Sequence, residues 1–124
     1  MMEKLLVVDD NVSFLKQISA VLEDRYELFL AKSGALALKI GAREKPDLIL
    51  LDVLMPEMDG FATFARLKEE SWFASIPVVF ITGTQDDAVK TKALESGAAD
   101  ILIKPLDKDL LLKCIELNIQ RSRP

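Results

Sequence analysis

The 124-residue chain contains no histidine and only one cysteine, Cys114. The absence of histidine excludes Ser-His-Asp and Cys-His catalysis, histidine-ligated metal sites and a phosphohistidine carried by this chain. A single cysteine excludes an intrachain disulfide and a cysteine-cluster metal site. It also favours a reducing compartment, so we expect a cytoplasmic protein. Chemistry in this chain therefore has to come from other residue types.

The chain is also poor in positive charge and in long apolar runs. Its 16 basic residues against 20 acidic ones give a net charge of −4, which argues against direct binding of nucleic acid by this domain. No apolar run approaches the ~20 residues that span a bilayer. The first residues, MMEKLLVVDD, reach acidic side chains too early for a signal peptide. We therefore expect neither nucleic acid nor membrane among its partners.

Five short apolar runs alternate with five helical patterns along what we expect to be one domain, residues 1–124. The alternation predicts an α/β fold with a doubly wound parallel sheet. Asn11 and Ser33 are candidate helix N-caps, residues 84–87 resemble a capping box, and Gly97 suits the end of a helix. The predicted strands are 4–9, 26–31, 47–52, 77–82 and 99–104, and the predicted helices are 12–24, 34–44, 58–70, 85–96 and 107–121.

Polar side chains end four of the five predicted strands. The first strand ends in Asp9 and Asp10, the third in Asp52, the fourth in Thr82 and the fifth in Lys104. Ligands of open α/β sheets bind outside the carboxyl ends of the strands, where these side chains converge. We therefore take these five residues as the candidate functional site.

The charges of this set point to a metal and to phosphoryl chemistry. Three carboxylates and one ammonium leave two negative charges in excess, which a divalent cation neutralises. Ligands that are all oxygen favour Mg²⁺ over zinc or copper. Asp9 and Asp10 are adjacent and suit metal binding, whereas Asp52 stands alone on a central strand and is the predicted nucleophile. No residue resembles a base for hydrolysis, so an acyl phosphate should be lost slowly.

Four segments then match a known family in order. They are LLVVDDN (5–11), PDLILLDVLMPEMDG (46–60), PVVFITG (77–83) and GAADILIKP (97–105). With these segments the chain resembles the receiver domain of two-component response regulators over nearly its whole length. The resemblance implies a flavodoxin-like (βα)₅ fold, doubly wound, with a five-stranded parallel sheet in the order 2-1-3-4-5.

The resemblance also implies a phosphoryl donor and a metal ligand set. Asp52 would accept the phosphoryl group from a phosphohistidine on a sensor histidine kinase or a histidine phosphotransfer protein. Asp10 and Asp52 would bind Mg²⁺ directly, Asp9 mostly through water, and the backbone carbonyl of Leu54 would supply a further ligand. The domain would catalyse only its own phosphorylation and dephosphorylation and would act as a conformational switch.

Other family features fall on the last two strands. Thr82 and Lys104 would contact the phosphoryl group, and the Lys104–Pro105 bond would be cis. The family usually has Tyr, Phe or His three residues before this lysine, and this chain has Ile101. The usual coupling of the threonine to an aromatic side chain is thus in question, and activation could run through segment 83–97 alone.

Alternatives remain open at this point. One is a receiver-like docking module without a phospho-switch. Another is a phosphatase with an aspartyl nucleophile, although haloacid-dehalogenase-type enzymes place an acid where Leu54 stands. A flavin-binding domain of the same topology would need a loop rich in Ser, Thr and Gly after the first strand. The chain is either a stand-alone receiver or the N-terminal piece of a longer regulator.

The last predicted helix is apolar over more of its circumference than one sheet face requires. We therefore expect part of it to contact another chain, in a homodimer through the 85–121 face or with a docking partner. The candidate interface residues are Leu110, Leu111, Leu112 and Cys114.

Overall fold

The computed structural model describes residues 2–83 and 86–123, and it alternates five strands with five α-helices. All ten predicted elements are confirmed, most of them shortened by one or two residues at an end. A short 3₁₀ helix at Ser71–Phe73 was not predicted. The strands are β1 (Lys4–Val8), β2 (Glu27–Ala31), β3 (Leu48–Asp52), β4 (Val78–Thr82) and β5 (Asp100–Ile103). The helices are α1 (Val12–Leu22), α2 (Gly34–Glu44), α3 (Gly60–Lys68), α4 (Asp87–Glu95) and α5 (Lys108–Ser122).

The strands form one parallel sheet in the order β2-β1-β3-β4-β5, as predicted. Every residue of β3 and β4 is buried, which explains why these strands are apolar at successive positions. The edge strands β2 and β5 are only partly buried. The sheet therefore places β3, the strand that ends in Asp52, at its centre.

Helices cover both faces of the sheet. One half of the core joins α1 and α5 to the side chains on one face, such as Leu50 and Ile81. The other half joins α2, α3 and α4 to the opposite face, such as Leu51 and Phe80. Burial of apolar surface stabilises a fold by roughly 25 cal/mol per Å². These two halves of the core are therefore the main source of stability.

Helix ends follow the predicted capping signals, with one correction. The side chains of Asn11 and Ser33 accept hydrogen bonds from backbone N–H groups of α1 and α2. Gly97 follows α4 with φ of +97°, where glycine avoids a Cβ clash. The predicted capping box began at Thr84, which lies outside the described residues, and Asp86 is the N-cap in its place. Helix α4 therefore begins at Asp87 rather than at residue 85.

Helix α4 is loosely attached to the domain. Of its residues only Ala93 is fully buried. Two lysines join it to α3: Lys68 Nζ donates to the carbonyl of Ser96 over 2.9 Å, and Lys92 Nζ lies 4.4 Å from the ring centroid of Phe61. Polar and cation–π contacts thus help to hold α4 to its neighbour, beside the packing of Val89 and Ala93 against the core.

Helix α5 corrects the predicted interface. Leu111, Leu112 and Cys114 are 2%, 9% and 6% exposed and belong to the core half that also contains α1. Because α5 contacts both the sheet and α1, its buried stripe is wider than that of a helix lying on a sheet alone. Of the four candidate residues only Leu110, 56% exposed, is available to another chain. The interface prediction was wrong for the other three.

No helix within residues 2–83 and 86–123 has the length and hydropathy needed to cross a membrane.

Candidate functional site

The five candidate residues lie at one edge of the sheet. Asp52 and Thr82 are the last residues of β3 and β4, and both are buried. Asp9 and Asp10 directly follow β1, Asp9 being buried and Asp10 exposed, and Lys104 directly follows β5. Because all strands are parallel, their carboxyl ends meet at this edge.

Three carboxylates lie close together there, and two of them are near one ammonium. Oxygen atoms of Asp9, Asp10 and Asp52 all lie within 4.8 Å of one another. Lys104 Nζ donates to Asp9 Oδ2 over 2.7 Å and lies 3.9 Å from Asp52 Oδ1. The cluster keeps two negative charges in excess, and its donors are hard oxygen atoms. This donor set can hold a divalent cation.

Asp9 is held in place from both of its carboxylate oxygens. Its Oδ2 accepts from Lys104, and its Oδ1 accepts from the backbone N–H of Asn11 over 2.9 Å. Asn11 in turn caps α1 by accepting from the N–H of Phe14. Since Asn11 already serves as the N-cap of α1, neither Asp9 nor Asp10 is needed in that role.

Asp52 has a raised pKa. Burial, the largest cause, and the carboxylates of Asp9 and Asp10 together raise this pKa from 3.8 to about 6, against the opposing effect of Lys104. The backbone N–H of Leu54 also stabilises the charged form. Near neutral pH the carboxylate is thus mostly ionised but poorly solvated, which suits a nucleophile.

The chain turns sharply after Asp52 to enter α3. A Cβ added at Gly60 would lie 2.2 Å from the carbonyl oxygen of Asp52, so only glycine permits this approach. The N–H of Gly60 donates to the carbonyl of Val53 over 2.8 Å, and Glu57 has a left-handed φ of +67°. Sequence reasoning did not single out Gly60, although an Asp-Gly pair before a helix is a recognisable signal.

The side chain of Leu54 is 67% exposed beside this turn.

Ile101 is half-buried, pairs with Phe80 across the sheet and packs into the core half that contains α4. The Lys104–Pro105 peptide bond is cis. The ring centroid of Phe14, a residue of α1, lies 4.2 Å from Lys104 Nζ.

Sequence comparison identifies the class of protein that this fold and site define. The model of the response regulator receiver domain family matches residues 5–116. The chain belongs to this family, and it is a receiver domain of response regulators. This membership does not favour the phosphatase or docking-module alternatives.

Individual relatives agree with this class. The chain is 43% identical over 112 residues to the response regulator PleD of Caulobacter vibrioides, covering 90% of this chain and 25% of PleD. It is 32% identical to protein PilH of Pseudomonas aeruginosa, covering 92% of this chain and 95% of PilH. The chemotaxis protein CheY4 of Vibrio cholerae superposes with a TM-score of 0.87 at 31% identity, covering 99% of this chain and all of CheY4. The chain thus spans a quarter of the length of PleD and nearly the whole of PilH.

Proposed function

We propose that this domain accepts a phosphoryl group on Asp52 from a phosphohistidine and uses it to switch conformation. The donor would be a sensor histidine kinase or a histidine phosphotransfer protein in the cytoplasm. One observation carries the proposal: the buried Asp52 carboxylate lies within 4.8 Å of two other carboxylates and 3.9 Å from Lys104 Nζ. Such a cluster, at the carboxyl edge of a receiver fold, pairs a nucleophile with the charges that phosphoryl oxygens require.

The donor atoms of the site fit Mg²⁺. Asp9, Asp10 and Asp52 present hard oxygens, and the exposure of Asp10 leaves room for the water ligands that Mg²⁺ retains. The backbone carbonyl of Leu54 would complete the protein ligands. Bound there, the ion would supply positive charge to the phosphoryl oxygens.

The residues of the chain would divide the reaction between them. An Oδ atom of Asp52 attacks phosphorus, forming the acyl phosphate P–O bond while the P–N bond to the donor histidine breaks. The leaving imidazole takes its proton from solvent or from the donor protein. Lys104 offsets the charge of the phosphoryl oxygens, and the hydroxyl of Thr82 hydrogen-bonds one of them. The chain has no histidine that could activate water, so the product is expected to hydrolyse slowly.

The switch would run through the fourth helix. Ile101 offers neither a ring nor a polar group to follow Thr82, whereas α4 is loosely attached and begins shortly after β4. We therefore propose that phosphorylation moves segment 83–97. Self-association through the 85–121 face stays a prediction. Leu110 is the exposed one of the four candidate residues on α5, and size-exclusion chromatography of Leu110→Asp with and without phosphorylation tests it.

The central test is the intact mass of the protein after incubation with acetyl phosphate and Mg²⁺. We expect one added phosphoryl group, which is lost in Asp52→Asn and in the presence of EDTA. Asp59→Asn is the matched control: it removes another carboxylate near the site, and the amide oxygen can still cap α3 as Asp59 Oδ1 does. Unchanged mass in the wild type, or labelling that persists in Asp52→Asn, would contradict the proposal.

A further inference from the structure

We propose that Phe14 is a positioning residue for Lys104, holding the ammonium between Asp9 and Asp52 through a cation–π contact. The inference rests on the proposed function, because its consequence is a change in the rate at which Asp52 is phosphorylated. It assigns a role to a side chain of α1 that is not among the five candidate site residues.

The ammonium of Lys104 has three kinds of partner around it. It donates to Asp9 Oδ2 over 2.7 Å, lies 3.9 Å from Asp52 Oδ1, and lies 4.2 Å from the ring centroid of Phe14. The face of an aromatic ring carries negative electrostatic potential and attracts a cation within about 6 Å. The ring thus attracts the Lys104 ammonium in addition to the two carboxylates. Because the lysine side chain is flexible, this third attraction restricts the position of the ammonium further than the two carboxylates do alone.

Asp9, Asn11, Phe14 and Lys104 are joined in a closed cycle of contacts. Asp9 accepts from the N–H of Asn11, and Asn11 accepts from the N–H of Phe14 over 3.1 Å. The ring of Phe14 contacts Lys104, and Lys104 returns to Asp9. The first turn of α1 is therefore tied to the same carboxylate that binds the lysine, which sets the position of the Phe14 backbone relative to the ammonium.

Other cation–ring contacts in the described residues lack this connection. Lys4 lies 5.9 Å from the ring of Phe29, Lys68 lies 4.5 Å from that of Phe64, and Lys92 lies 4.4 Å from that of Phe61. None of these three lysines is bonded to a carboxylate of the site. The contact at Phe14 differs because its cation also reaches the predicted nucleophile.

A role of Phe14 in packing alone would lead to a different experimental result. Phe14 is half-buried, packs against the core and lines a cleft of about 490 Å³ between α1 and the segment after β5. If it served only to fill this space, Phe14→Leu would lower stability and leave the reaction of the folded protein unchanged. The rate of phosphorylation in fully folded protein therefore separates the two roles.

The experiment measures the phosphorylation rate constant with acetyl phosphate and Mg²⁺ by intact mass, with urea unfolding to confirm that each variant is folded. We expect Phe14→Leu to be about fivefold slower, from the loss of roughly one cation–π contact. Phe14→Tyr keeps the ring face and is expected to react at nearly the wild-type rate. Phe29→Leu is the matched control, since it removes a half-buried ring whose lysine is remote from Asp52. In a Lys104→Gln background, Phe14→Leu should cause no further loss.

Three outcomes would overturn the inference: a Phe14→Leu rate within twofold of wild type, a Phe14→Tyr rate as slow as that of Phe14→Leu, or an equal loss in the Lys104→Gln background. If Phe14→Leu does not fold, pentafluorophenylalanine at position 14 replaces it, because fluorination removes the attraction of the ring face while nearly keeping its shape. A slower rate in that protein supports the inference, and an unchanged rate refutes it. Absence of phosphorylation in the wild type would instead refute the proposed function, together with the inference that rests on it.

Discussion

Replacing Asp52 by asparagine should stabilise the metal-free domain. Burial and two neighbouring carboxylates raise the pKa of Asp52 from 3.8 to about 6, so its ionised form is disfavoured in the folded state. A pKa difference of this size corresponds to about 3 kcal/mol at neutral pH, since one unit equals about 1.36 kcal/mol. Asparagine has nearly the same shape and no charge, so the variant avoids this cost.

The stabilisation by Asp52→Asn depends on pH, and the raised pKa of Asp52 sets the direction of this dependence. Well below pH 3.8 the carboxyl group is protonated in both the folded and the unfolded chain, and it costs nothing. As the pH rises from there, the unfolded chain releases the proton first, and the folded wild type loses stability until its own pKa near 6 is passed. The difference between variant and wild type should therefore grow between about pH 4 and 7 and stay level above that range.

Urea unfolding of both proteins in EDTA, at several values between pH 4.5 and 8, measures this difference. We expect Asp52→Asn to be more stable by about 2–3 kcal/mol at pH 8, or about 10 °C in melting temperature for a domain of this size, and by about 1 kcal/mol or less at pH 4.5. Asp59→Asn, which alters an exposed acid, should show little of this pH dependence. Destabilisation of the domain by asparagine at pH 8 would refute the stability cost of the ionised Asp52. The same difference in unfolding free energy between variant and wild type at both ends of the pH range would also refute it.

Two further substitutions and one labelling experiment test other parts of the structure. Lys104→Met leaves the buried carboxylate of Asp9 without its ammonium and should cost about 2 kcal/mol in urea unfolding at pH 7; an unchanged midpoint would contradict the ion pair. Gly41→Ala places a Cβ 2.4 Å from the ring of Trp72 and should cost about 1–3 kcal/mol by the same measurement, whereas equal stability would mean that the ring moves freely. Burial raises the pKa of Cys114 to about 12, so its thiolate is about a thousandfold scarcer than that of an ordinary thiol. An aromatic disulfide reagent at pH 8 should therefore label Cys114 only on unfolding, and rapid labelling of the native domain would show that the thiol is accessible.

The placement of the site could be predicted because it follows from topology. Once five strands are parallel in one sheet, residues at their carboxyl ends share an edge whatever their distance along the chain. Asp9 and Lys104 are 95 residues apart, and their ion pair is an example. The contact of Phe14 with Lys104 was not predicted, because helical periodicity assigns a side chain to a face and does not identify what lies beyond it.

Helix α5 marks the other limit of sequence reasoning. An excess of apolar residues over one face has two physical explanations, a second chain or a second neighbour within the same chain. Periodicity does not distinguish them, and here Leu111, Leu112 and Cys114 are buried in the core half that contains α1 and one face of the sheet. The start of α4 was misplaced for a related reason: several polar residues precede it, any of which can cap a helix.

The loose attachment of α4 gives the domain an uneven distribution of local stability. A helix that fully buries one alanine can open at a small fraction of the global unfolding free energy, whereas α5, with six buried residues, opens only when the domain unfolds. Backbone amides of α4 should therefore exchange with deuterium orders of magnitude faster than those of α5 or β3. Helix α4 is the helix that comes next along the chain after β4, the strand that ends in Thr82. If phosphorylation moves segment 83–97 as proposed, a small change in free energy at the site is enough to alter this helix while the sheet keeps its structure.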